Sequence, residues 1–178
     1  MLQTHFYYKD KSAPQPKGNR IGTCVLLECD GKMLLEHRAD SDIWSVIGGG
    51  LKVGERLAEG AVRETFEETG LSLREEQLEF YNIYDDPSRI ASYPDGNVWR
   101  IITVVYRVRL AELPEMICSE ESRELRFWGR EELNGVKVAA THIPIVEEYV
   151  GESNRWNRTK VLANYEKKLY TKKWRWRL

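Results

Sequence analysis

Cysteine is scarce in this 178-residue chain, and the three present, Cys24, Cys29 and Cys118, include no CxxC pair. That excludes a disulfide framework and a thiolate zinc site, and a reducing, cytoplasmic setting is the expectation. No 18 apolar residues run together, and Met1 to Asp10 lacks a basic segment followed by an apolar stretch of signal-peptide length. Neither a membrane span nor a secretion signal is expected. Net charge is almost absent as well: 27 Lys+Arg against 28 Asp+Glu leave −1. That excludes a uniformly basic nucleic-acid coat and an acidic solvating tail. No internal repeat is present.

What the chain does have is 42% hydrophobic and 31% charged residues, the make-up of one folded domain with at most one added element. A short strand at His5 to Tyr8 precedes a Pro/Gly/Lys linker over Lys11 to Asn19, and the domain proper starts at Arg20. Ile21 to Cys29 and Lys32 to Arg38 read as strands joined by the hairpin signal Asp30-Gly31. After the glycine cluster Gly48-Gly49-Gly50 a helix is predicted from about Arg56 to Thr69, closed by Gly70 as a left-handed cap. Leu78 to Tyr84, Val98 to Leu110 and Leu125 to Trp128 have strand composition. Brief helical patterns follow near Glu131 and from Pro144 to Val150. This mixture implies an α/β or α+β sandwich around a mixed sheet. The expected division is residues 1–19, a domain over 20–154, and an extension over 155–178.

On the helix, Glu64, Glu67 and Glu68 are spaced i, i+3, i+4 and share one face, while Ala58, Val62, Phe66 and Thr69 form a stripe expected to be buried. Like charges at this spacing destabilise an isolated helix by a few tenths of a kcal/mol per pair, roughly. A bound hard cation reverses that sign, since Mg²⁺ takes oxygen ligands and is commonly held by carboxylates together with a substrate phosphate. The competing reading is a solvated acidic face.

The segment 49–71, GGLKVGERLAEGAVRETFEETGL, decides between them, because it resembles the signature of the Nudix hydrolases: Gly49, Glu55, Arg63, Glu64, Glu67, Glu68, Gly70 and Leu71 all fall on it. Thr65 stands where the family has an apolar residue, and Ile47 where a proline usually precedes the glycines. The likeness extends over roughly residues 20 to 150. It implies a Nudix-type α/β/α sandwich and Mg²⁺- or Mn²⁺-dependent cleavage of the pyrophosphate bond in a nucleoside diphosphate linked to another moiety. It also implies Glu64, Glu67 and Glu68 as metal ligands or water-orienting carboxylates, Glu55 and Gly49 at the same metal, and Arg63 holding the glutamates. A general base from outside the signature is implied too, with Glu121 and Glu124 as candidates and an exposed loop acid as the alternative for each. Homodimers are frequent in the family, so a second copy of the chain is one partner to test.

For the substrate, Pro87 lies sixteen residues past Leu71, a position that in this family accompanies ADP-ribose or nucleotide-sugar hydrolysis, although Asp-Asp-Pro-Ser is equally an ordinary turn. Nucleoside triphosphates are the alternative substrate. A further alternative is a catalytically weak Nudix-like domain that binds nucleotide or RNA. Arg38 and Arg89 are candidate phosphate or ribose contacts, Arg89 being otherwise a solvated loop arginine. Tyr84, Tyr93 and Trp99 are candidate base-stacking aromatics or else core partners. His5, His37 and His142 lack metal-ligand spacing and read as structural or exposed. Cys24 and Cys29 read as core residues.

The near-zero charge hides opposites. Residues 155–178 hold nine Lys or Arg against Glu166, a local +8 that leaves −9 for residues 1–154. With Trp156, Tyr165, Tyr170, Trp174 and Trp176 interleaved, this extension suits either packing on the body or an anionic partner, and packing is the preferred reading.

Overall fold

The computed structural model describes residues 3–152. The 155–178 extension therefore lies outside the described residues.

Eight strands form one mixed sheet: β1 (His5–Tyr7), β2 (Asn19–Cys29), β3 (Lys32–Arg38), β4 (Trp44–Gly50), β5 (Glu79–Tyr84), β6 (Ile90–Ser92), β7 (Val98–Leu110) and β8 (Ser122–Gly129). Their order is β1-β6-β7-β2-β4-β3-β8, with β5 also on β7. The β2–β7 pair is parallel from Asn19↔Arg100 to Cys29↔Leu110, whereas the other strand pairs run antiparallel. Asp30 and Gly31 both have positive φ, 49° and 69°, as the hairpin signal requires of a turn matched to strand twist.

Helix α1 (Leu57–Thr69) and helix α2 (residues 143–152) cover opposite faces. Val25, Leu27, Leu34 and Ile47 pack with Ala61 of α1. Leu26, Met33, Leu35 and Val46 pack with Ile145, Val146 and Tyr149 of α2. The result is the expected α/β/α sandwich. Among the described residues, no helix is long and apolar enough to cross a membrane.

Three expectations shift. The glycine cluster is part of a central strand, β4, where Gly22 faces Gly50, Thr23 faces Gly49 and Cys24 faces Gly48. A Cβ on Gly48, which has φ 142°, would run into the Thr23 carbonyl, so close backbone approach replaces side-chain propensity as the reason for the strand. Second, β6 lies inside the stretch read as loop, and it pairs with β1, so the N-terminal strand is an edge of the same sheet. Third, the predicted helix stripe is turned by about a quarter of the circumference. Phe66 is 55% exposed, and the buried residues of α1 are Gly60, Ala61, Thr65, Glu68 and Thr69. Small residues let the helix sit close to the sheet. Thr65 and Thr69 enter the core because their hydroxyls donate to the carbonyls of Ala61 and Thr65, at 2.8 and 2.6 Å. The glutamate face is consequently not wholly solvent-facing, and Glu68 is carried inside.

Candidate active site

Helix α1 ends as the sequence requires, with Gly70 at φ 73° and its N–H donating to the Phe66 carbonyl. Its N-terminus is fixed by the Arg56 N–H donating to Glu59. Between these ends the helix lies against Gly48–Gly50 and opens on a cavity of about 430 Å³. Arg63, Glu64, Glu67 and Glu68 form one wall of that cavity.

Arg63 is the hub of the carboxylates. Its Nε and Nη2 donate to the two oxygens of Glu55 at 2.6 and 2.9 Å, a bidentate pair. Its Nη1 donates to Glu64 at 2.7 Å and Glu67 at 2.8 Å, and Nη2 also reaches the Gly50 carbonyl at 3.1 Å. Lys52 adds Nζ to Glu67 and its N–H to Glu55. The Arg63 hydrogen bond, followed by the Lys52 N–H, holds the Glu55 carboxyl down at about 2. Burial pushes Glu67 up, but Arg63 and Lys52 together outweigh it and keep that carboxyl below its ordinary range.

The two inner glutamates go the other way. Burial raises Glu64 against its Arg63 hydrogen bond. Burial, then the charge of Glu36, raises Glu68 well above the carboxylate range, against one N–H donated by Gly48 at 2.9 Å. Glu36, on β3, is 1% exposed. Its Oε1 accepts from the Ser122 hydroxyl at 2.7 Å and its Oε2 has no hydrogen-bond partner.

These donors fit a hard divalent cation. They are all oxygens, and a Cβ added to Gly49 would stand 2.6 Å from the Glu64 carboxylate, so the strand presses bare backbone against that ligand candidate. Among the described residues the side chains are arranged around Arg63 and not as a ready-made three-ligand cage.

The other expected residues separate into two groups. Arg38 lines the cavity and forms a bidentate pair with Asp40 at 2.9 and 3.0 Å. Glu121 lines it too, anchored where the Ala39 N–H donates to its carbonyl. Tyr93 is there with the Arg20 guanidinium 4.8 Å above its ring. By contrast Glu124 is exposed on β8 opposite His37 and is not among the cavity-lining residues. Trp99 packs beside Gly18, under the Lys17 ammonium. Tyr84 is buried with its hydroxyl on Glu148.

Arg89 is not a solvated loop residue, nor is it among the residues that line the cavity. It is fully buried and donates to the carbonyls of Thr141, Tyr84 and Ile101 and to the Thr103 hydroxyl. Acceptors that converge from residues 84, 101, 103 and 141 have no local sequence signature, so the loop composition misled.

Sequence reasoning missed Thr4, Phe6, Arg20 and His142, all of which line the cavity. The first two arrive with edge strand β1, whose pairing is non-local. His142 accepts the Val46 N–H on Nδ1 at 3.1 Å, so its proton sits on Nε2. Burial, with Arg89 and Arg38 nearby, pushes its pKa down to about 3.

A family model described as NUDIX domain matches residues 18–149. The nucleoside triphosphatase NudI of Salmonella arizonae is 30% identical over 131 residues, 69% of this chain and 92% of that protein. Among solved structures, the MutT protein of Methanosarcina mazei Go1 superposes with a TM-score of 0.60 at 20% identity, over 79% of this chain and 99% of that one. A bifunctional NMN adenylyltransferase/ADP ribose pyrophosphatase of Francisella tularensis, complexed with AMP and Mn ion, gives 0.58 at 22% identity, over 80% of this chain and 44% of its own length.

Proposed function

The chain belongs to the NUDIX family and is a Nudix pyrophosphohydrolase, and from that premise we propose that it hydrolyses the pyrophosphate bond of a nucleotide with the help of Mg²⁺ or Mn²⁺ bound at α1. The observation that carries this reading is the carboxylate set Glu55, Glu64, Glu67 and Glu68, gathered by Arg63 against the bare backbone of Gly49 at a cavity wall. Such a set has no structural purpose that an apolar helix face would not serve better.

Glu64, Glu67 and Glu68, with Gly49 and Glu55 beside them, would hold the cation. When bound, the cation neutralises phosphate charge and lowers the pKa of an attacking water. Arg63 keeps Glu64 and Glu67 at a fixed spacing. Glu121, at the cavity, accepts the proton of the water whose oxygen attacks phosphorus, and the bridging P–O bond breaks to release a second phosphate. Arg38 and Arg20 supply positive charge for the phosphates, and Tyr93 offers an aromatic face to the base.

Two substrate classes follow from different observations. Nucleoside triphosphates are favoured by the NudI relatives, which match over most of their length. ADP-ribose or a nucleotide sugar is favoured by Pro87 and by the Francisella neighbour. Tyr84 and Arg89 flank Pro87 and turn into the protein interior, which weakens the second class. A hydrolysis panel of nucleoside triphosphates, ADP-ribose, nucleotide sugars and dinucleoside polyphosphates, run with Mg²⁺ and with Mn²⁺ beside Glu68→Gln, tests the reading. Product from one class with wild type and a loss of at least about 10²-fold in the variant is expected. Equal rates for both proteins would overturn it.

A further inference from the structure

Arg38 ends strand β3 where its pairing with β8 slips by one residue, from His37↔Glu124 to Arg38↔Ser122. Bulges of this kind recur next to active sites, where they re-aim a side chain. Strand alternation puts Arg38 on the same face as Leu34, which packs with Ala61 of α1, and Arg38 lines the cavity together with Glu64 and Glu68. The backbone around it is pinned twice, by the Arg38 N–H donating to the Ile43 carbonyl at 3.1 Å and the Ala39 N–H donating to the Glu121 carbonyl at 2.7 Å.

A guanidinium offers two edges, Nε with Nη2 and Nη1 with Nη2, and either can grip an acceptor through two parallel N–H groups. The Nε and Nη2 of Arg38 donate to Oδ1 and Oδ2 of Asp40 at 2.9 and 3.0 Å, which uses the first edge. Nη1 has no hydrogen-bond partner among the described residues and is not shut inside the protein, so the second edge is left for a group that enters the cavity. Asp40 is not among the cavity-lining residues. It is held from behind, because the Ser41 hydroxyl donates to its Oδ1 at 3.0 Å and the Thr4 hydroxyl bonds the same carboxylate. Both supporting residues are buried. Charge alone gives this arrangement no advantage, since a carboxylate beside a cation weakens the pull of that cation on an anion. What the fork supplies is direction.

We propose that Asp40 is a positioning residue for substrate binding: it clamps the Arg38 guanidinium by its Nε–Nη2 edge so that the Nη1–Nη2 edge is presented to a phosphate group in the cavity. Asp40 acts through Arg38 and touches no substrate itself. Ser41 and Thr4 fix the clamp in turn, and Thr4 brings the segment leading into β1 into the binding of phosphate. This inference rests on the reading that the cavity receives the phosphates of a nucleotide.

The experiment measures the binding of methylenediphosphonate, a diphosphate whose bridging carbon resists hydrolysis, by calorimetry in the presence of Mg²⁺. Wild type, Asp40→Asn, Arg38→Ala, the double variant of these two and Glu68→Gln are compared as full-length chains. Asp40→Asn removes a negative charge from the surroundings of an anion site, so a mere counter-ion would give equal or tighter binding, and either result would overturn the proposal. The expected result is the reverse, binding weakened about 10-fold, because an amide cannot accept from both Nε and Nη2 and the guanidinium swings free. Arg38→Ala should weaken binding at least as much, and adding Asp40→Asn to it should change binding by no more than about twofold. Losses that add would mean that Asp40 acts by itself or through the fold, which also overturns the proposal. If Asp40→Asn does not fold, Asp40→Glu decides: it keeps the charge but lengthens the arm, so weakened binding supports the proposal and wild-type binding overturns it. Should Arg38→Ala bind as tightly as wild type while Glu68→Gln loses the ligand, the cation reading at α1 stands and the Asp40 assignment falls. Should wild type fail to bind, or Glu68→Gln bind as tightly as wild type, the reading of the cavity as a metal-assisted phosphate site fails and takes the Asp40 assignment with it.

Discussion

Gly49 and Glu64 share a space with no room for one more carbon: a Cβ at Gly49 would stand 2.6 Å from all three atoms of the Glu64 carboxylate. Gly49, unlike Gly48, is not in the positive-φ region, so alanine is tolerable to its backbone and the obstruction falls on the end of a flexible side chain. Gly49→Ala should therefore move the carboxylate and spare the fold. A fall in metal-dependent kcat of about 10²-fold is expected, the cost of displacing a catalytic group by about an ångström. The melting temperature should change by no more than about 3 °C. Full activity with unaltered stability would show that Glu64 has freedom the packing denies it.

Arg63 serves four acceptors with one planar group, and lysine cannot reproduce that fork. Arg63→Lys is expected to lower kcat by roughly 10- to 100-fold, because Glu64 and Glu67 lose their spacing. Its acid behaviour gives an independent readout. The Glu55 carboxyl, held at about 2, is below its ordinary 4.5, so the Arg63 contact stabilises the fold above pH 4.5 and that stabilisation is lost as pH falls toward 2. In Arg63→Lys the Glu55 carboxyl should titrate closer to 4.5, observable by carbon NMR of the glutamate side chains. An unmoved titration would mean that the Lys52 N–H, not Arg63, holds it.

The parts of this molecule that could be read from the chain are those governed by neighbours in sequence. The β2–β3 turn at Asp30-Gly31, the helix that carries the i, i+3, i+4 glutamates, and its Gly70 cap are all local, and each forms where expected. What escaped was set by non-local contact. Strand β4 forms through glycines that only close approach to β2 explains, Glu68 is buried because Thr65 and Thr69 pass as core residues, and Thr4 and Phe6 reach the cavity only because β1 pairs with β6. Arg89 changed roles for the same reason, since its Thr141 partner lies 52 residues away.

Arg89 gives the sharpest separation between a binding and a structural role. Its removal would leave the carbonyls of Tyr84, Ile101 and Thr141 without donors in the interior, at about 1–3 kcal/mol each when unsatisfied. Arg89→Met should destabilise the protein by at least about 3 kcal/mol in denaturant unfolding, with KM per folded molecule unchanged. A variant of normal stability whose KM rises tenfold would return Arg89 to the substrate.

His142 should leave a mark on the pH dependence of stability. Its ring is held neutral because the Val46 N–H occupies Nδ1 and because burial and two arginines oppose a second proton, taking the pKa from 6.5 to about 3. The unfolded chain takes up that proton below pH 6.5 and the folded chain does not, so this contribution to stability is complete above pH 6.5 and is lost as pH falls toward 3. The slope is at most about 1.4 kcal/mol per pH unit. Glu64 and Glu68, both raised, act in the opposite sense, since they favour the folded state as acid protonates them. The comparison must therefore be between proteins that differ at one position. In His142→Asn the side-chain oxygen can accept the Val46 N–H without offering a titrating group. The stability of wild type relative to this variant should decline steadily between pH 6.5 and 4 in chemical unfolding, and a flat difference over that range would mean that the ring takes up its proton in the folded protein.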